Sequence, residues 1–295
     1  MHTVEKALWH IESRLREIQS LEEVAGRVGV TPFHLTRAFS LATGCSLMRY
    51  VRGRRLTEAA RVLAEGAPNI LAAALDAGYG SHEAFTRAFR DQFGVTPEQV
   101  RGRGHLKNLT LMEPMKMNAP TAARIDPIRM EDGKALLLAG LGARQSCDEG
   151  AGLPTRASIP GQWQKFGAYL GRIPGQVGTI AYGVCSNFDP EGSYDYLCGV
   201  EVSEIGGLPA ELTHLRIPAQ RYAVFAHRDH VSSVPRTWDA IMSQWLPNSG
   251  VEAVEAPQFE KYGGSFDPRT GLGGLEIWIP IRKKAARAGA GMLPG

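Results

Sequence analysis

Residues 31–46 read TPFHLTRAFSLATGCS, and residues 81–96 repeat the phrase as SHEAFTRAFRDQFGVT. Thr31 and Ser81 carry N-cap chemistry, a short side-chain oxygen able to accept from a backbone N–H of the first turn. Each follows a glycine-containing turn, Gly29-Val30 and Gly78-Tyr79-Gly80, and each turn follows a short apolar-periodic segment, 21–28 and 70–77. The spacing predicts helix, tight turn, helix, written twice. In the second helix of each unit Leu35, Phe39 and Ala42, matched by Phe85, Phe89 and Phe93, share one face and belong to the core. The opposite faces carry Phe33, Thr36, Arg37 and Ser40 in the first copy, and His82, Glu83, Thr86, Arg87 and Arg90 in the second.

A polar outer face is what any surface helix has, and helix pairs joined by glycine turns occur in many all-α domains. Duplication favours double-stranded DNA as the partner. A long helix over 47–63 separates the units, and two recognition helices so spaced reach successive major-groove faces about 34 Å apart, so one chain does the work of a dimer. Phe33 points the same way, since an outward aromatic ring is costly unless it stacks or meets thymine methyls.

Over most of residues 3–101 the chain resembles the AraC-type transcription regulators, through HLTRAF, the tract YVRGRRLTEAA (50–60) and DAGYGSHEAFTRAFRDQFGVTPEQVR (76–101). The resemblance implies a bipartite DNA-binding domain that also contacts RNA polymerase. It makes Phe33, Thr36 and Arg37 base readers of the first helix, and His82, Glu83, Thr86 and Arg87 those of the second. Glu83 departs from the usual uncharged residue: it either accepts from a cytosine amino group or turns aside to pair with Arg87 at i+4.

At 295 residues the chain exceeds what one core usually supports, so two domains are expected. Residues 1–107 hold 15 Lys and Arg against 11 Asp and Glu, the remainder 18 against 19, a mildly basic front compatible with a polyanion. Cys45, Cys147, Cys185 and Cys198 show no C-x-x-C and no ligand-like pairing with His, which argues against a zinc site and a stapled secreted scaffold and points to buried thiols. No signal sequence and no apolar run of about 18 residues is present, so a cytoplasmic protein without membrane contact is expected. No Walker loop or G-x-S-x-G occurs, and Gly140-Leu141-Gly142 lacks the third glycine of a dinucleotide fingerprint; no cofactor is expected. His227 and His230 show no metal spacing.

After residue 121 the apolar period changes to two. Segments 135–143, 178–185, 196–203, 221–227 and 275–281 are strand-like, with helical stripes near 160–171 and 234–246. A strand, a helix and a strand pair thus occur twice. In LEIWIPI (275–281) alternation sets Leu275, Ile277, Ile279 and Ile281 against helices and Glu276 with Trp278 on the other face. That pair is either a cradle for a flat organic cation or a solvated glutamate beside a rim indole. Trp238 and Trp245, seven apart on one helix, read as core; Tyr182, Tyr196, Tyr222 and Tyr262 either line a pocket or simply suit strands.

Residues 124–284 look like the effector-binding domain of the gyrase-inhibitor-like superfamily, through IPAQRYAVFAHRDHV, WDAIMSQWLPNSGVE and FEKYGGSFDPRTGLGGLEIWIPI. The resemblance implies two strand-helix-strand-strand modules over a cleft for lipophilic, often cationic, compounds, with the acidic residue of the last strand, here Glu276, as charge partner. The expected organisation is an all-α double helix-turn-helix domain (1–107), a linker (108–121), an α+β domain of those two modules (122–285) and a flexible tail (286–295). The expected function is a non-enzymatic, effector-responsive regulator, with Glu276, Trp278, Tyr182, Tyr222 and Tyr262 holding the effector. Two rivals are a hydrolase that employs the pocket glutamate with a tyrosine, and a domain that docks a protein partner.

Overall fold

The structure is a computed structural model that describes residues 3–18, 20–67, 69–115, 125–146 and 158–284; the expected tail, Cys147 and the end of the expected linker lie outside the described residues. The chain divides into two compact units, one of residues 1–121 with 189–192 and one of residues 122–188 and 193–295.

The first unit is all-α: α1 (Thr3–Ser13), α2 (Leu21–Val28), α3 (Pro32–Thr43), α4 (Leu47–Ala64), α5 (Ile70–Asp76), α6 (His82–Phe93) and α7 (Pro97–Arg103). Thr31 and Ser81 cap as their chemistry demands, accepting from the His34 and Ala84 N–H groups, both at 3.1 Å. Phe85, Phe89 and Phe93 interlock at ring distances of 5.5 and 4.7 Å and fill the second helix-turn-helix core with Leu56, Leu63 and Ala74.

The stripe Val4–Ile18 predicts one helix, but α1 ends at Ser13. The reason lies forty residues away. The Arg55 guanidinium donates to the carbonyls of Leu15 at 2.8 Å, Arg16 at 3.2 Å and Ile18 at 2.6 Å, satisfying in one stroke the acceptors a continued helix would have used itself. Residues expected to be linker are fastened instead. Met112 N–H donates to Thr57 Oγ1 at 3.0 Å, Met115 N–H to the Tyr50 hydroxyl at 3.0 Å, and Arg54 donates to the Met112 carbonyl at 3.0 Å. Arg54 also pairs with Glu12, which accepts from Tyr50 Oη at 2.6 Å, so α1, α4 and the returning chain share one polar knot.

The second unit holds β1 (Arg129–Gly133), β2 (Leu136–Gln145), α8 (Ile159–Gly167), β3 (Gln176–Ser186), β4 (Tyr194–Val202), β5 (Thr213–Ile217), β6 (Gln220–His227), α9 (Val234–Ala240), a π turn (Ile241–Trp245), α10 (Leu246–Asn248), β7 (Val251–Ala253), β8 (Gln258–Tyr262) and β9 (Leu275–Lys283). The antiparallel order β1-β6-β9-β8-β3-β4-β2-β5 contains β2-β4-β3 and β6-β9-β8, the same module twice, joined where Gly183 faces Glu260. The β1–β6 register, Arg129↔Val224 to Gly133↔Gln220, continues unbroken into β2–β5, Leu136↔Ile217 to Gly140↔Thr213. Two long strands, bent in the middle, therefore hold the two ends of the sheet together and the sheet curls. Its inner face forms a core of Leu138, Tyr182, Val184, Leu197, Ile217, Tyr222, Val224, Phe259 and Trp278, while its outer face carries α8 and α9. The Gly140-Leu141-Gly142 run is a packing feature: a Cβ on Gly140 would lie 2.0 Å from the Cys198 carbonyl oxygen. Cys45, Cys185 and Cys198 are buried.

Arg55→Ala should lower the unfolding free energy by about 2 kcal/mol, because three carbonyls lose a charged donor together; urea melts of the full chain measure it, and an unchanged midpoint contradicts this account of the α1 terminus. Burial works to raise the Glu12 pKa, but Arg54 and Tyr50 outweigh it and hold the carboxyl below its ordinary value. A depressed folded pKa contributes stability that is present above the unfolded pKa and lost as pH falls through the folded one. Glu12→Gln should therefore flatten the acid limb of a stability–pH profile; a limb of unchanged slope contradicts it.

Candidate DNA interface and effector cleft

The two helices expected to read DNA differ in what they present. On α6, Glu83, Arg87 and Arg90 are exposed, and among the described residues neither arginine makes an ion pair. His82 lies 3.1 Å from Glu98 across the α6–α7 angle. Glu83 forms no pair with Arg87 among the described residues: its own backbone N–H and the Ser81 hydroxyl hold its carboxylate at the helix N-terminus and lower its pKa. On α3, by contrast, Thr36, Arg37 and Ser40 are buried and Phe33 is half-buried. Ser40 Oγ donates to the Arg37 carbonyl of the preceding turn at 3.3 Å.

In the second unit the seam between the modules holds a buried carboxylate. On β8, Gln258, Glu260 and Tyr262 point to the helix-bearing face, and Glu260 is buried beneath α8 and α9. Its Oε1 accepts from Trp238 Nε1 at 2.9 Å; its Oε2 accepts from Tyr262 Oη at 2.8 Å and Tyr196 Oη at 3.3 Å. Tyr196 Oη in turn accepts from Trp163 Nε1 at 2.9 Å. Trp163 packs edge-on against Tyr262 at 5.0 Å, and Phe266 against the other side at 4.8 Å. The carboxylate fits only because the residue opposite is glycine: a Cβ on Gly183 would lie 2.3 Å from Tyr196 Oη and 2.7 Å from Glu260 Oε2. Burial pushes the Glu260 pKa up, while Trp238, Tyr262, Tyr196 and the nearby His227 pull against it. Burial and the facing carboxylate push Tyr196 and Tyr262 well above the ordinary tyrosine value, so both hydroxyls stay protonated and donate.

The effector residues expected from the sequence are split between the two faces. Tyr262 belongs to the Glu260 cluster. Tyr182, Tyr222, Glu276 and Trp278 lie on the inner face, where Trp278 stacks on Phe259 at 5.3 Å and 19° and meets Tyr222 edge-on at 5.4 Å. The cation opposite Glu276 is the chain's own: Arg129 donates to both carboxylate oxygens at 2.6 and 2.9 Å, and Trp278 Nε1 adds a third bond at 3.0 Å. Burial opposes ionisation of Glu276, yet Arg129, Trp278 and Lys261 hold its pKa below the usual value. Trp238 and Trp245 are buried as their spacing implies, but Trp238 also serves the carboxylate, a role its apolar setting concealed. His227 is engaged by Thr237 Oγ1 at 2.8 Å and by the His230 carbonyl at 3.2 Å. Among the described residues no three His, Cys, Asp or Glu side chains could hold a metal, and no helix is long and apolar enough to cross a membrane.

Residues 24–103 match a helix-turn-helix domain family and residues 126–282 the GyrI-like small molecule binding domain. The chain is 25% identical over 286 residues to the transcriptional regulator Rob of Salmonella typhimurium, covering 94% of this chain and 96% of that one. The right origin-binding protein of Escherichia coli is 24% identical over 285 residues, with the same shares covered. The multiple antibiotic resistance protein MarA of Salmonella typhimurium is 39% identical over 99 residues, 34% of this chain and 78% of its own. With a helix-turn-helix match over its front and a GyrI-like match over its back, the chain belongs to the AraC-type transcription regulators that carry a GyrI-like small molecule binding domain.

Proposed function

We propose that this regulator answers lipophilic cations bound at Glu260, between α8 and α9, and reads its operator chiefly through α6. The observation that carries the reading is a carboxylate buried among Trp163, Trp238, Tyr196, Tyr262 and Phe266. A carboxylate so placed is costly unless something answers its charge, and here every hydrogen bond its oxygens accept comes from a neutral N–H or O–H donor. Aromatic walls add area and cation–π attraction for an apolar cation that brings the missing charge. Tyr262 is thus the expected effector residue that the proposal keeps; Glu260, Tyr196, Trp163 and Trp238 replace the others.

The tyrosine beside Glu260 is also the feature that would suit a hydrolase. With both hydroxyls held as donors to the carboxylate, the arrangement favours binding over turnover. On the DNA side, Arg87 and Arg90 are the free guanidinium groups of α6, with His82 and Thr86 beside them; Phe33, Thr36, Arg37 and Ser40 of α3 complete the bipartite reader. Contact with RNA polymerase rests on family membership.

Arg87→Ala should weaken operator binding by about 1–3 kcal/mol and relax specificity in one half of the site only, as read by footprinting; a loss uniform over all sequences demotes Arg87 to a phosphate contact. Glu260→Gln should weaken an aryl quaternary ammonium ion about 10- to 100-fold, and its uncharged carbon isostere far less, in calorimetry on the full chain. Equal losses for the two compounds remove the charge role, and product release during the titration points to the hydrolase.

A further inference from the structure

Glu276 and Trp278 form a cradle that already holds a planar cation, the Arg129 guanidinium. The Arg129 guanidinium lies 5.4 Å from the Trp278 ring centroid and grips Glu276 with two bonds, while its Nε reaches Glu131. Trp278 Nε1 fixes the carboxylate at 3.0 Å, Phe259 backs the indole at 5.3 Å, and Lys261 Nζ lies 5.1 Å from the same ring. Bidentate charge-assisted bonding over an aromatic face selects a flat amidinium or guanidinium group, which a round ammonium cannot imitate.

Two facts make the occupant replaceable. Arg129 and Glu276 keep 36% and 29% of their side-chain surface exposed, so water and salt reach the pair and weaken it. Arg129 is also the first residue of β1, a strand with one partner, β6, in the order β1-β6-β9. Its side chain spans β6 to reach Glu276 on β9, clamping the sheet edge to the second strand in. Backbone pairing over five residues, the Ile128 N–H bond to the Val224 carbonyl at 2.8 Å and the exposed Arg221–Asp132 pair also tie this edge to β6. In sequence, β1 is the first strand after residues 116–124, the stretch that leads out of the helical unit.

We propose that Glu276 and Trp278 form a second small-molecule site, on the sheet face opposite Glu260, for planar amidinium or guanidinium compounds, with Arg129 as its built-in competitor. An incoming cation takes the place of Arg129 and unfastens β1. The site therefore couples ligand to the strand by which the chain enters the effector domain, and it does so independently of the Glu260 cleft.

Hydrogen exchange on the full chain, with benzamidine as probe and neutral benzamide as control, tests this. Saturating benzamidine should speed exchange in residues 128–133 about tenfold and benzamide should not, since opening of an edge strand follows the loss of its clamp. If Arg129 fills the site nine-tenths of the time, Arg129→Ala should bind benzamidine about tenfold more tightly than wild type, with β1 exchange already fast. Arg129→Lys, which keeps the charge but loses the fork, should fall between the two and stands in should the alanine variant fold poorly. Glu276→Gln should abolish the benzamidine response, and Glu260→Gln should leave it intact. Unchanged β1 exchange with benzamidine, an affinity in both Arg129 variants no higher than wild type, or a response lost in Glu260→Gln overturns the proposal; the last outcome places the probe in the Glu260 cleft instead.

Discussion

The second unit is organised around one costly act, the burial of the Glu260 carboxylate at the seam of two modules. Everything near it follows from the need to satisfy four lone-pair directions without water. Trp238 comes from the helix of one module, while Tyr196 with its support from Trp163 comes from the other. Gly183 must lack a side chain on the strand across. Neither module could build the cluster alone, which ties the duplication of the fold to its chemistry. The ring of neutral donors holds a charge in place without neutralising it, and that is the condition a cationic effector would exploit.

The curl of the sheet divides Glu260 and Glu276 between different worlds. Continuous register between β1–β6 and β2–β5 keeps the inner face closed on itself, so Glu276 sits at the rim of an aromatic core where an arginine can reach it. Glu260 faces outward under helices, where no guanidinium or ammonium group is among its hydrogen-bond donors. The helical unit shows a comparable division. Its polar knot of Glu12, Tyr50 and Arg54 reaches from α1 to the chain beyond α7, so the residues that leave the unit are part of its structure.

Much of this was legible in the sequence, and the losses have physical causes. N-caps at Thr31 and Ser81 are local chemistry, and the repeated phrase carried them; the modules of the second unit showed through strands whose inward residues are apolar. The end of α1 was hidden because Arg55 decides it from another helix. Strand β8 was hidden because its helix-facing residues, Gln258, Glu260 and Tyr262, are the polar set, which inverts the usual alternation. Glu276 was readable as a carboxylate beside an indole, but alternation gives a face and says nothing of which cation answers it. Thr36 and Ser40 show the same limit, since helical spacing marks the polar side of α3 without telling whether that side meets water. The signal for Glu260 lay in the phrase FEKY, an acid between aromatics, counted by two from Tyr262.

The central claim is that Glu260 holds a charge in reserve for a cation. Carbon-13 NMR of side-chain carboxyls in the full chain, titrated with pH before and after addition of an aryl quaternary ammonium ion, measures it most directly. The account predicts one glutamate, absent from the spectrum of Glu260→Gln, that titrates above the ordinary carboxylate range in the free protein and moves downward when the cation binds. A Glu260 titration that the cation leaves where it was would contradict the account.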